Sequence, residues 1–345
     1  MKKIFFAVFL VLVSRADLQS QPSFYEGKTI RMIVGFSPGG SNDLWTRLIA
    51  QHIGKYVPGN PEIVVQNVAG GGSMVAANQV YTVSKPDGLT LANIAPALYL
   101  EQLAGRKEVQ FDWAKFSWIG SPERTEEVLF IRSDSPYKTI DDLRKIAEPA
   151  RCGATGIGSV DHYFPKLLED ILGVKFNIVT GYPGAAEVHL AIEKGEMQCR
   201  VGSVSSFLDR EPGRTWAKSG FVRVLVQGGK KRDPRLPDVP TIYELMDRYK
   251  SPNAVRGLAN VLLSPGVLGR PMVASPGIPP ERVKLLRAAY AKTLSDPAVM
   301  ADLKKRGWQA SPVSGEELEA VAKDVVAQPP EVVEKMRQLL DLATK

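Results

Sequence analysis

The residues best able to do chemistry are glycines and hydroxyls gathered in short loops. One loop runs Gly35-Phe36-Ser37-Pro38-Gly39-Gly40-Ser41-Asn42, and a second runs from Asn67 through Gly70-Gly71-Gly72 to Ser73. Each leads from an apolar β-branched run into a helical pattern. A helix start has unpaired N–H groups and the positive end of the macrodipole, so such a junction favours an anion. Glycine lets the backbone come close to it. If the two strands are adjacent, both sets of amides converge on one carboxylate or phosphate. Asp43 falls in the first helical turn, where an acid steadies the helix start. It would repel a carboxylate, so it is expected to hold the loop or orient a water unless the ligand carries a donor such as an ammonium.

Other chemistries lack their residues. There is no H-E-x-x-H and no paired C-x-x-C, so no metal site is expected. The phosphate loop Gly-x-x-x-x-Gly-Lys-Ser/Thr is absent, and neither glycine loop has G-x-G-x-x-G spacing, so no nucleotide cofactor is expected. No G-x-S-x-G occurs. Ser203, Ser205 and Ser206 cluster at a strand end, with His189 the nearest histidine in sequence. His52 fits the apolar face of a helix, and His162 stands just inside another helix, where it can line a cleft. Cys152 and Cys199 fall in two strands; they bridge if those strands flank each other, and are otherwise a buried thiol pair.

The elements that position these loops repeat. Ile30 to Val34 is a strand; Trp45, Leu48, Ile49, His52 and Ile53 recur at helical spacing. Ile63 to Gln66 is a second strand, Met74, Ala77 and Tyr81 mark a second helix, and Leu89 to Ile94 is a third strand. The pattern restarts at Arg151 to Ala154, with loops at 155–159, 181–184 and 202–206 between further helices and strands. Alternating strands and helices predict a parallel α/β sheet in each half. The chain is expected to cross between the halves within 118–135. Leu258–Ser264 and Arg270–Ser275 read as extended pieces, followed by helices at 281–294, 298–306 and 316–326. The reading is a first domain from both chain ends, 24–120 and 229–345, and a second inserted between them, 121–228.

The chain start reads differently. Lys2 and Lys3 precede ten apolar residues, Ile4 to Val13, and then small and polar ones. That is a signal-peptide pattern, residues 1–20. Ten residues span about 15 Å as a helix, short of a bilayer core of about 30 Å. The mature chain is expected to be exported and soluble, without membrane insertion. The whole chain of 345 residues carries a net charge of +7, with 44 basic and 37 acidic side chains. No basic block interleaves with aromatics, which argues against nucleic acid.

At these same residues the chain resembles the periplasmic solute-binding proteins of tripartite tricarboxylate transporters, the Bug-type receptors. The resemblance rests on Ile30 to Val34 with Pro38-Gly39-Gly40-Ser41-Asn42-Asp43, on Asn67 with Gly70-Gly71-Gly72, and on Pro86-Asp87-Gly88-Leu89-Thr90-Leu91. It continues at Gly156-Ile157-Gly158-Ser159, Gly195-Glu196 and Leu236-Pro237-Asp238-Val239-Pro240-Thr241. The chain departs from the family at Gly71, where Ala is usual, and at Gly181-Tyr182-Pro183-Gly184. The resemblance implies a two-lobed clamshell, each lobe a mostly parallel sheet flanked by helices, closing on a small organic carboxylate. Ligand contacts are then expected from Ser37, Gly39, Gly40, Ser41, Asn42 and Asp43, from Asn67, Gly70, Gly71, Gly72 and Ser73, and from Thr155, Gly158, Ser159, Ser203 and Ser205. No arginine lies in these loops, so amides and hydroxyls are expected to do the holding. The implied protein is a monomeric receptor without cofactor or catalysis that serves membrane transporter subunits. An exported hydrolase using the same cleft and a ligand sensor for a membrane-bound kinase are the alternatives.

Overall fold

The computed structural model describes residues 23–339 apart from 146, 157, 158 and 264, and of 254, 260 and 339 the backbone only. Residues 1–20 and Gly158 lie outside this set. Among the described residues eleven strands form two sheets: β1 (Thr29–Val34), β2 (Glu62–Asn67), β3 (Thr90–Asn93), β4 (Ser117–Ser121), β5 (Glu127–Arg132), β6 (Ala150–Gly153), β7 (Phe176–Val179), β8 (Cys199–Ser203), β9 (Val222–Gln227), β10 (Met272–Ala274) and β11 (Val313–Ser314). The first sheet has the order β11-β4-β10-β3-β1-β2, the second β7-β6-β8-β5-β9. Helices flank both, giving a two-lobed α/β molecule.

Neither sheet is as parallel as the sequence suggests. β1 pairs in parallel with β2 and β3, but β10 returns antiparallel between β3 and β4. In the second sheet β5 runs antiparallel between β8 and β9. The reversed strands decide the site, because an antiparallel strand brings its N-terminal end to the edge where its neighbours end. β4 lies inside the stretch expected to cross between halves, so the crossing narrows to the residues between Ser121 and Glu127.

The segment read as extended near 258 is instead helical, Asn253–Leu263, with Leu258, Ala259 and Leu262 buried on one face. It packs on the Val160–Leu172 helix, as do Ile242–Arg248 and a further helix, Pro330–Leu339. One hydrophobic cluster therefore runs through both lobes, from Ile33 and Trp118 through Leu262 and Met336 to Phe164 and Val201. Cys152 and Cys199 face each other across β6 and β8, Cα atoms 4.5 Å apart, and form a disulfide.

Candidate functional site

A cavity of about 100 Å3 lies between the lobes where the strands end. From the first lobe come Phe36, Gly40, Ser41, Asn42, Ala95 and Pro96; from the second, Thr155, Ser159, Asp161, Ala185 and Ser203. The helices Ser41–Ile53, Val160–Leu172 and Ala185–Glu193 all begin at its wall. Their first-turn amides have no intrahelical partner, so the wall is rich in donors.

Of the residues expected from sequence, Gly40, Ser41, Asn42, Thr155, Ser159 and Ser203 line this cavity. The others have different places. Asp43 is buried and accepts from the Gly39 amide at 3.0 Å, from Asn67 Nδ2 at 2.8 Å and from Arg47 Nε at 2.9 Å. Burial opposes its ionisation, yet those donors outweigh it and hold the carboxyl below its usual range. Asn67 also donates to the Phe36 carbonyl at 2.9 Å. Together the two residues fasten the first loop to the second strand. Ser37 donates to Glu187 at 2.7 Å across the cleft mouth. Gly70 and Gly71 are away from the cavity lining, and Ser73 is buried beneath Gly35. Gly72 meets the opposite lobe: a Cβ there would lie 3.2 Å from Gly156 Cα, and one on Gly156 only 2.8 Å from Gly72 N. The second glycine loop thus lies backbone to backbone against the 155–159 loop. Ser205 lies 3.2 Å from Ser203 Oγ, while its neighbour Ser206 faces the cavity.

Sequence reasoning missed the charged groups. Arg200 and Arg270 both line the cavity, contrary to the expectation of amides and hydroxyls alone. Arg270 Nη2 donates to Ser203 and Ser206 at 2.9 and 2.8 Å, and Nη1 to Asn42 Oδ1 at 3.4 Å. Its Nε is paired with Glu123, which also takes Arg210 Nη2 at 2.9 Å. Burial disfavours the Glu123 charge, but the two guanidiniums outweigh that and keep its carboxyl below the usual range. Arg270 is therefore held at its back edge by Glu123, while its front edge lies among cavity hydroxyls and the Asn42 amide. Arg200 donates to His189 Nε2 at 2.9 Å and lies 3.5 Å from Asp161. Burial, reinforced by the Arg200 charge, pushes His189 well below its ordinary range, so the imidazole is neutral. His189 lines the cavity; His162 is buried outside that lining, and His52 is half-buried on its helix. Asp161 is occupied with its own loop, accepting from Ser159 Oγ and, at 3.3 Å, from the Thr155 amide. Glu127 completes the wall and accepts from Thr125 Oγ1 at 3.2 Å.

Arg270 and Glu127 arrive by the reversed strands. Arg270 lies two residues before β10, whose first residue pairs with Asn93 at the end of β3. Glu127 starts β5 and pairs with Ser203 at the end of β8. A search of the loops that follow parallel strands passes over both. The available signal was Arg200, a charged residue within an apolar strand and three residues before the serine cluster.

Two α/β lobes between which the chain passes twice, with a cleft lined from both and donors converging on it, define a solute-binding protein of the periplasmic type. The chain belongs to the receptors of the tripartite tricarboxylate transporter family, whose family description, "Tripartite tricarboxylate transporter family receptor", matches residues 46–338. It is 27% identical over 324 residues to a Cupriavidus necator protein described as "UPF0065 protein in gbd 5'region", covering 92% of this chain and 90% of that one. Among solved structures, the periplasmic binding protein BugD superposes with a TM-score of 0.72 at 22% identity, covering 91% of this chain and 98% of BugD. MatC from Rhodopseudomonas palustris with bound malate superposes at 0.68, also at 22% identity, covering 91% and 99%.

Proposed function

We propose that this protein is an exported receptor that encloses a small organic carboxylate between its lobes and presents it to the membrane subunits of a transporter. The observation that carries the reading is the pair of buried guanidiniums, Arg200 and Arg270, set among hydroxyls contributed by both lobes. An arginine already held on one edge by a carboxylate is pre-organised to receive a second one on the other. Malate bound to MatC, a structural neighbour, agrees with that chemistry. Among the described residues no helix is long and apolar enough to cross a membrane. In this reading residues 24–120 and 229–345 form one lobe and 121–228 the other.

A hydrolase would need a base on a cleft serine. His189 instead accepts from Arg200, and Ser203 and Ser206 accept from Arg270, which favours holding over reacting.

A thermal-shift panel of L-malate, succinate, benzoate and neutral analogues tests the binding. A carboxylate at 100 times its Kd should stabilise the protein by about 2.7 kcal/mol, with no shift from the matching amide. Equal shifts from acid and amide would rule out carboxylate recognition. Export is tested separately: mass spectrometry of periplasmic protein should show a chain starting between Asp17 and Ser23.

A further inference from the structure

We propose that Glu127 is a proton site of this cavity, so that the receptor captures a carboxylate together with one proton from solvent, held between the two carboxyl groups. The proposal rests on the carboxylate reading above and adds a second occupant to the same site.

The geometry argues for it through charge balance in an enclosed space. Arg270 and Arg210 share Glu123, so that trio carries one net positive charge. Arg200 is balanced by Asp161. With Glu127 ionised the buried set is neutral, and a carboxylate entering it would bring an uncompensated negative charge out of water. With Glu127 protonated, one carboxylate closes the balance. The side chain is placed for this exchange. Glu127 is buried, faces the cavity, and accepts one hydrogen bond, from Thr125 to Oε1. Oε2 takes no hydrogen bond among the described residues. Protonated, it offers the ligand a donor; ionised, it repels the ligand.

Glu127 also lines a second cavity with Arg124, Glu126, Lys230 and Tyr243, of which Arg124 is paired with Glu317. The β8 neighbour Arg200 is engaged by Asp161 and His189. On β9 the nearest polar group is the buried neutral Gln227, which pairs with Val128. The Val160–Leu172 helix presents Asp161 and Tyr163, and burial holds the Tyr163 hydroxyl far above its ordinary range, hence neutral. The crossing presents Thr125 and Glu123, and Arg270 faces Glu127 from just before β10. Burial pushes the Glu127 carboxyl up to about 7, against the Arg270 charge and the Thr125 hydrogen bond that pull it down, with Asp161 and Glu123 adding to the rise. A ligand carboxylate in the cavity raises it further.

Two measurements test this. In the unliganded mature protein labelled with 13C at the glutamate carboxyls, the resonance missing from Glu127→Gln should titrate near neutral pH. A midpoint in the ordinary glutamate range overturns the proposal, whatever the ligand. In the second, the strongest binder among L-malate, succinate and benzoate is titrated calorimetrically at pH 7.5 in two buffers of different ionisation enthalpy. Wild type should take up between half and one proton, and its Kd should rise about tenfold per pH unit above the unliganded midpoint until the bound-state midpoint is reached. Glu127→Gln should bind without uptake and with a flat profile. Binding without uptake in wild type, or uptake that persists in Glu127→Gln because His189 takes the proton, overturns the proposal. Failure of every carboxylate to bind counts against the carboxylate reading instead, and the first measurement still decides the proton site.

Discussion

Arg270 joins the two requirements of a receptor, recognition and closure, in one side chain. Its front edge meets Ser203, Ser206 and Asn42, while its back edge is fixed by Glu123. Arg270→Lys keeps the charge and loses the fork. It should weaken carboxylate binding by about 1.5–3 kcal/mol, the scale of a hydrogen bond to a charged group, in isothermal calorimetry. Asp43 acts at the same scale without facing the cavity. Its carboxyl is held below 3.8, so the stability it contributes is present above that value and disappears as pH falls through the lower folded-state value. Asp43→Asn should cost about 2 kcal/mol at pH 7 in denaturant unfolding. Wild type and variant should converge in acid.

At the scale of elements, the two glycine loops have different work. The first supplies a helix start to the cavity, with Asp43 and Asn67 fastening it. The second supplies a flat backbone surface on which the opposite lobe lands. The Gly72–Gly156 approach leaves no space for a side chain. Gly156→Ala should hold the lobes apart and weaken ligand binding by about 1–3 kcal/mol, the usual cost of overpacking, with the circular dichroism of both lobes unchanged. The disulfide acts within the second lobe. It ties β6 to β8 across 47 residues, and both strands deliver cavity residues, Thr155 beyond one and Ser203 on the other. Replacing both cysteines by serine should cost about 4 kcal/mol by loop entropy. A thiol assay on unfolded, unreduced wild type should find none free.

Over the whole molecule, the lobes are joined by a shared core and by one arginine that crosses between them. The continuous core through Leu262 and Met336 joins the two lobes. Arg210 leaves the second lobe, lies 4.6 Å over the Trp308 ring and 5.4 Å over Trp45, and bonds Glu123. A cation over an aromatic face out of water adds about 2 kcal/mol, and breaking a buried ion pair removes more. Arg210→Ala should therefore shift the unliganded protein toward an open form, seen as a larger radius of gyration in solution scattering and altered tryptophan emission. Saturating ligand should reverse most of the change.

The sequence by itself determined whatever depends on neighbours along the chain. Glycine runs between β-branched segments and helical patterns located both loops, and Ser41, Asn42, Thr155, Ser159 and Ser203 follow from standing at helix starts. The same local logic gave a helix to 161–172 but an extended form to the segment near 258. There the helix is stabilised by burying Leu258, Ala259 and Leu262 against a distant partner. Only the tertiary structure decided the charges of the cavity. Arg270 reaches Asn42 across 228 residues of chain, and Glu127 reaches Ser203 by strand pairing. Both arrive on strands that run against their neighbours, and strand direction is set by which edges remain to be paired once the lobes pack. The cysteine pairing has the same origin: two strands 47 residues apart become neighbours only through the parallel crossover that places β8 beside β6.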